Sequence, residues 1–144
     1  MNFACRNPNA LAKASEAVSG AKLPCLVTVL EGASLRTYEQ NRLQRKWCQE
    51  IADHFGDRTA EQVRGEMKLT IGVPILRAEN EAFAEKYDAH VKPLSYEDKL
   101  AIMQEPLDLP VTRIMSVAQK RKYLDAAFAH YSAQGVQLTV PKDD

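Results

Sequence analysis

The chain lacks most of the sequence features that mark a nucleotide-binding protein or a hydrolase. Lys+Arg and Asp+Glu both number 19 among 144 residues, so the formal net charge is zero. Binding to nucleic acid cannot rest on overall basicity and would need clustered cations. The sequence contains no P-loop, no G-x-G-x-x-G and no G-x-S-x-G pattern. None of the common phosphate-binding or serine-nucleophile motifs is therefore present.

Cysteine is equally sparse. Cys5, Cys25 and Cys48 are widely spaced and form no C-x-x-C pair. This spacing argues against a zinc site and against a disulfide framework. We therefore expect buried, reduced thiols. The three histidines lie far apart and form no H-E-x-x-H motif, and the sequence predicts no metal and no cofactor.

Long apolar runs are also missing. No stretch approaches the roughly 18 apolar residues of a membrane span, and no charged-then-apolar leader opens the chain. These features predict a cytoplasmic protein without a membrane partner. A length of 144 residues with 45% hydrophobic content fits one domain, residues 1–144, with a real core.

Several short segments have the composition of β-strands. The clearest is Cys25–Glu31, which is apolar, β-branched and bounded by Pro24 and Gly32. Further strands are predicted at residues 2–6, 75–76 and 136–140. Together with the helices they predict an α+β domain, in which several helices cover a small, mostly antiparallel sheet. The edge of so small a sheet would suit a second subunit.

Capping patterns predict where the helices begin. Thr37-x-x-Gln40, Thr59-x-x-Gln62 and Ser116-x-x-Gln119 are capping boxes, and Ser95-x-x-Asp98 is a further start signal. The predicted helices are residues 10–19, 37–55, 59–69, 78–90, a helix from Ser95, and 116–134. Gly72-Val73-Pro74 is predicted to break the third of them, and Gly135 to end the last.

The helix expected at Thr37 carries the first basic cluster. Its apolar stripe includes Trp47, for which core packing is favoured over base stacking. Polar Gln40 and Asn41 would lie in the first turn, where backbone amides favour an anion. Tyr38, outside the stripe, is the better stacking candidate. The cations of this cluster are Arg36, Arg42, Arg45 and Lys46.

A second basic cluster surrounds the helix start at Ser116. It contains Arg113, Lys120, Arg121 and Lys122. Backbone amides and cations at a capped helix start can converge on phosphate. The alternative for both clusters is a solvated helix face, in which Arg121 would pair with Asp125.

Carboxylates offer a weaker enzymatic interpretation. Asp53, His54 and Asp57 gather at a helix end, and Glu79-x-Glu81 with Asp98 could imitate a nuclease set for a divalent ion. No spacing specifies such a site, and solvated surface is the simpler explanation. Acidic residues dominate an atypical segment at about residues 72–108.

An ordered set of motifs resembles a known family. SLRTYEQNR at residues 34–42 follows a strand-like segment and leads into a Trp-bearing helix. Gly56-Asp57-x-Thr59 comes next, and residues 112–116 with Gly135-Val136 form a block near the end. This set resembles the NinB (Orf) recombination proteins of lambdoid phages. The resemblance covers roughly residues 3–70 and 109–140.

The resemblance implies a non-enzymatic recombination mediator in a bacterial host cell. Family members are homodimers that bind single-stranded DNA and contact the host single-strand-binding protein. By this analogy Gln40, Asn41 and Arg42 correspond to the family's tripeptide, and Arg113 falls in its second block.

The sequence thus favours a phage or prophage protein that binds single-stranded DNA, with duplex or branched DNA as further possibilities. If about five phosphates are neutralised, log affinity should fall against log salt with a slope of about −3.5 for single strands. The predicted contacts are Arg36, Tyr38, Gln40, Asn41, Arg42, Arg45, Lys46, Arg113, Lys120 and Arg121. The alternatives are a metal-dependent nuclease, a helix-turn-helix regulator built on residues 59–76, and a structural or inhibitory phage protein.

Overall fold

A computed structural model describes residues 2–140, without the side chains of residues 33–36. Helices dominate this part of the chain, and it contains no β-strand. The predicted α+β fold with an antiparallel sheet is therefore wrong. The helices are α1 Pro8–Ser19, α2 Gly32–Phe55, α3 Ala60–Met67, α4 Val73–Glu79, α5 Glu81–His90, α6 Tyr96–Met103 and α7 Val117–Ser132. A π-helical turn, Lys68–Gly72, joins α3 to α4, and a 3₁₀ turn, Thr112–Ile114, precedes α7.

The chain divides into two compact units, Met1–Arg36 and Thr37–Asp144. In the first unit, Asn7 caps α1 by accepting a hydrogen bond from the backbone N–H of Ala10 at 2.9 Å. α1 buries none of its side chains. Among residues 2–140, none of the helices has both the length and the apolarity of a membrane span.

All four predicted strands are absent. Residues 25–31 and 2–6 have no regular structure, and Ile75-Leu76 belongs to α4. Residues 136–140 are also irregular, although Val136 and Leu138 are buried. A strand needs a neighbour to pair its backbone groups, and the described part of the chain supplies none.

Side chains of α2 form hydrogen bonds with the backbone of the irregular segment at residues 136–140. The Trp47 indole N–H donates to the carbonyl oxygen of Thr139 at 2.8 Å, and the Thr139 N–H donates to Glu50 Oε1 at 3.1 Å. These bonds satisfy groups that a sheet would otherwise pair. Trp47 is 4% exposed, which confirms that it packs in the core.

Two apolar clusters form the core of the second unit. The larger one joins the predicted stripe of α2 to α7 and includes Trp47, Ile51, Tyr123, Ala127 and Tyr131. The smaller cluster lies beneath the acidic segment and includes Leu69, Val73, Leu76, Tyr87, Met103 and Val111. The hydrophobic periodicity of α2 thus identified its share of the larger cluster correctly.

Most helix boundaries follow their capping residues. The reciprocal capping boxes at Thr59 and Ser116 are both formed, and Ser95 caps α6. Gly56 and Gly135, with φ of 72° and 89°, occupy the left-handed region just beyond α2 and α7. The predicted caps at Thr59, Ser95 and Ser116 and the predicted end of the last helix at Gly135 are confirmed.

Two boundaries were predicted incorrectly. α2 begins at Gly32, so Thr37 lies inside the helix, and Gln40 and Asn41 are not in its first turn. At Gly72-Val73-Pro74 the helical path continues through the π-turn instead of breaking. Pro74 follows directly on this π-turn, in which the Val73 N–H donates to the carbonyl oxygen of Lys68, five residues earlier. Residues 59–76 therefore lack the tight turn of a helix-turn-helix motif.

Candidate nucleic-acid interface

A groove of about 860 Å³ runs across the second unit. Its lining residues come from α2, α3, the π-turn, the link after α6, the 3₁₀ turn and the start of α7. We call it the basic groove. Its polar lining includes Gln40, Asn41, Gln44, Arg45, Glu61, Arg64, Lys68, Glu105, Asp108, Arg113 and Lys120. Five cations and three carboxylates therefore face one space.

The basic groove brings together members of both predicted basic clusters. Gln40, Asn41 and Arg45 enter it from α2, while Arg113 and Lys120 enter from the far end of the sequence. Residues nearly 80 positions apart in the chain thus line one surface. These five are the predicted contact residues that share a single site.

The other predicted contacts lie elsewhere. Tyr38, Arg42 and Lys46 recur every four residues and share a different face of α2, so they do not line the groove. Arg42 instead lies over Tyr38, with its guanidinium carbon 5.9 Å from the ring centroid. Arg121 is also outside the groove. The side chain of Arg36 lies outside the described residues.

A second group of cations, which the sequence did not single out, also lines the groove. Arg64 pairs with Glu61 at 2.6 Å and with Asp108 at 3.0 Å, and Lys68 pairs with Asp108 at 2.7 Å. The Lys68 ammonium also holds the pKa of Asp108 below its usual range, with further help from Arg64. Because Glu61, Arg64 and Lys68 recur at helical spacing, the sequence carried a signal that they share a face.

Arg64 and Lys68 are therefore neutralised within the protein. The three remaining cations of the groove are not. Arg45, Arg113 and Lys120 form no ion pair with any carboxylate in the described part of the chain. Arg113 donates only to the backbone carbonyl of Asp108, at 3.3 Å.

Lys120 is the least exposed of the three, with 9% of its surface accessible. Its Nζ donates to Gln44 Oε1 at 2.9 Å, and Gln44 Nε2 donates to the Tyr123 hydroxyl at 3.3 Å. Burial lowers the pKa of Lys120 to about 8. The groove therefore contains a desolvated ammonium held by a neutral amide.

Of the two helix starts predicted to favour an anion, at Thr37 and at Ser116, only the second lies at the groove. Ser116 and Val117, at the start of α7, line the groove, and Ser116 accepts a hydrogen bond from the Gln119 N–H at 3.1 Å. The start of α2 lies at Gly32, five residues before the first groove residue, Thr37. The macrodipole of α2 therefore gives no reason to place an anion beside Gln40 and Asn41.

Two of the carboxylates named in the enzymatic interpretation, Asp57 and Glu79, are paired with basic side chains. No group of three or more His, Cys, Asp or Glu side chains within residues 2–140 could hold a metal ion. Asp57 instead pairs with Arg58 at 2.7 Å, and Glu79 pairs with Lys122 at 2.6 Å.

Of the cysteines, Cys48 is buried as predicted, but Cys5 and Cys25 are exposed.

Comparison with models of protein families, with curated proteins and with solved structures finds no match to this chain.

Proposed function

We propose that this protein binds single-stranded DNA in the basic groove without a catalytic step, as a recombination mediator of the NinB kind. One observation carries the proposal: Arg45, Arg113 and Lys120 converge on one groove from distant parts of the chain, and none has a carboxylate partner within the described residues. DNA phosphates would supply the missing anions. The role in recombination rests on the NinB resemblance.

The lining of the groove favours an unpaired strand over a duplex. Beside the cations lie the half-buried apolar side chains of Leu109 and Met115. Unstacked bases present apolar faces to such a surface, whereas a duplex keeps those faces stacked inside. The amides of Gln40 and Asn41 can both donate and accept, which suits base edges as well as phosphates.

Fluorescence anisotropy with an oligo-dT strand and with a duplex of equal length tests this proposal. With three uncompensated cations, log affinity for the strand should fall against log salt with a slope of about −2. That value replaces the steeper slope expected from sequence. Binding that is absent, or that strongly prefers the duplex, would contradict the proposal.

Matched variants locate the site. Arg45→Gln and Arg113→Gln remove groove cations, and each should weaken binding and reduce the salt slope by about 0.7. Lys46→Gln and Arg121→Gln remove the same charge from exposed positions outside the groove. They should leave the affinity nearly unchanged. Equal losses in both pairs would place the DNA elsewhere on the surface.

The nuclease alternative is tested in the same assay. Incubation of the purified protein with branched and single-stranded DNA in Mg²⁺ or Mn²⁺ should leave the DNA intact. Persistent cleavage by the purified protein would overturn the non-catalytic assignment.

A homodimer is also part of this proposal. In the first unit, Leu26 and Val29 are 91% and 77% exposed within an irregular segment of strand-like composition, residues 25–31. Large apolar side chains in a row favour burial against another chain, and a two-fold axis would place the same segment on both sides of the interface. The second partner, a host single-strand-binding protein, rests on the NinB resemblance.

A further inference from the structure

Lys120 differs from an ordinary structural lysine. Lys68, in the same groove, is 2% exposed, and its Nζ donates to Asp108 Oδ1 and to the carbonyl oxygen of Met103, both at 2.7 Å. Lys68 thus has an anion and a backbone acceptor. Lys120 is 9% exposed, and its one hydrogen bond within the described residues goes to the neutral amide of Gln44. A buried charge without a counter-ion is costly, so Lys120 has a reason to bind an external anion.

A short network fixes the position of this ammonium. Gln44 donates through Nε2 to the Tyr123 hydroxyl, and it accepts from Lys120 through Oε1. Tyr123 is completely buried, and its ring centroid lies 5.6 Å from the Lys120 Nζ. An ammonium carries three donors, of which Gln44 takes one. The remaining donors are available to a ligand in the groove.

We propose that the Lys120 ammonium binds one backbone phosphate of the strand in the basic groove, and that loss of the Lys120 proton weakens this binding. The inference rests on the proposed function and adds a regulatory property to the same site. A phosphate diester stays anionic at any pH above neutrality, so only the lysine changes charge. Gln44 acts as a positioning residue, because it holds the ammonium without neutralising it.

Burial lowers the pKa of Lys120 to about 8, which brings its titration close to physiological pH. The lowered pKa means that about half of the free protein has lost this charge at pH 8. A bound phosphate would raise the pKa again, since an opposite charge favours the ammonium. Affinity is therefore fully present well below pH 8 and falls as the pH rises through that value.

The thiol, phenol and carboxyl groups around Lys120 do not produce the same titration. Burial also lowers the pKa of Lys68, against the opposing effect of its hydrogen bond to Asp108, and Lys68 is present in every variant compared below. The pKa of Cys48 is raised to about 12 by burial, and the pKa of Tyr123 is raised further, so both stay neutral. Glu61 and Asp108 have lowered pKa values and stay anionic. The charged and titratable groups that share the groove with Lys120 are Arg45, Cys48, Glu61, Arg64, Lys68, Glu105, Asp108 and Arg113.

The test measures oligo-dT affinity between about pH 6.5 and 9.5 at constant ionic strength. For one linked proton, the dissociation constant of the native protein should rise by up to about tenfold per pH unit above pH 8. Lys120→Arg keeps a permanent charge and should bind with a much flatter pH profile. Lys122→Arg, a change on the same helix at an exposed residue, should keep the native profile. All other titrating groups are common to the three proteins.

A direct titration covers the case in which arginine does not fit the buried site. In protein carrying ¹⁵N-labelled lysine, the Lys120 signal should titrate near pH 8 alone and at higher pH with oligo-dT present. A flat native affinity profile, or identical profiles for the native protein and a folded Lys120→Arg variant, would overturn the inference and leave the proposed function intact.

Failure of the proposed function is recognised separately. If no oligonucleotide binds at any pH, single-strand binding is refuted. The lysine titration is then repeated with tripolyphosphate as the probe. A higher pKa of Lys120 with tripolyphosphate would still support an anion site at this residue. An unchanged pKa would overturn the inference as well.

Discussion

Asp108 should stabilise the fold and at the same time weaken DNA binding. Its carboxylate neutralises Lys68 and Arg64 within the groove, at 2.7 and 3.0 Å. The substitution Asp108→Asn removes the charge and keeps the shape. Asparagine is the suitable replacement because residue 108 has φ of 49°, a left-handed conformation that asparagine tolerates and alanine does not.

The expected cost follows from the burial of the two partners. Breaking a fully buried ion pair by removing one partner costs about 3–5 kcal/mol. The Lys68 side chain is 3% exposed, but that of Asp108 is 31% exposed and is partly screened by water. Asparagine also retains an oxygen that can accept from Lys68. We therefore expect Asp108→Asn to lower the free energy of unfolding by about 2 kcal/mol.

Urea unfolding followed by circular dichroism measures this change. Asp88→Asn is the matched control, because Asp88 pairs with Arg77 on the exposed surface and its loss should leave the unfolding midpoint nearly unchanged. A Lys68→Met, Asp108→Asn double variant should lose less than the sum of the single variants, since neither charge remains without its partner. Additive losses, or an Asp108→Asn protein as stable as the control, would refute the assignment of Asp108 as the counter-ion of Lys68.

The contribution of Asp108 to the free energy of unfolding should fall at acidic pH. The pKa of Asp108 is lowered in the folded protein by Lys68 and Arg64, so its contribution is present above about pH 4 and is lost as the pH falls through the folded pKa. The difference in stability between the native protein and Asp108→Asn should therefore shrink towards pH 3. Removal of a groove carboxylate should also tighten oligo-dT binding a few-fold at low salt, so stability and affinity should move in opposite directions.

Two further predictions concern packing and assembly. A Cβ atom on Gly72 would lie 2.7 Å from Val111 Cγ1, in the core, so Gly72→Ala should destabilise the protein by about 1–3 kcal/mol in thermal unfolding. Gly65→Ala, whose nearest neighbour is the flexible side chain of Gln104, should cost less, and equal losses would contradict the packing argument. If the exposed segment at residues 25–31 joins two copies, Leu26→Asp should convert a dimer to a monomer in light scattering, whereas an unchanged mass would exclude this interface.

Local signals in the sequence predicted most of the helical detail. The capping boxes at Thr59 and Ser116, the end of the last helix at Gly135 and the apolar stripe of α2 were all readable, because each depends on neighbours within a few residues. The start of α2 was misplaced because Thr37-x-x-Gln40 also fits inside a helix. Gly72-Val73-Pro74 was misread as a break because a π-turn has no comparable sequence signature.

The predicted sheet was wrong for a different reason. A strand is stable only when another strand pairs with it, and that partner is not encoded in the segment itself. Residues 136–140 have the alternation of a strand, yet Trp47 and Glu50 of α2 satisfy the backbone of Thr139. Composition therefore identified an apolar segment but not its structural state.

The sequence by itself determined the residue types of the candidate site: two basic clusters, polar Gln40 and Asn41, and no catalytic motif. Only the tertiary structure decided which of these residues share a surface, because the face of α2 and its packing against α3 and α7 are long-range properties. It separated Arg45, Arg113 and Lys120 from Arg42, Lys46 and Arg121. It also revealed that Asp108 neutralises two groove cations while Lys120 is buried beside a neutral amide, a difference of electrostatic environment that depends on residues far apart in the chain.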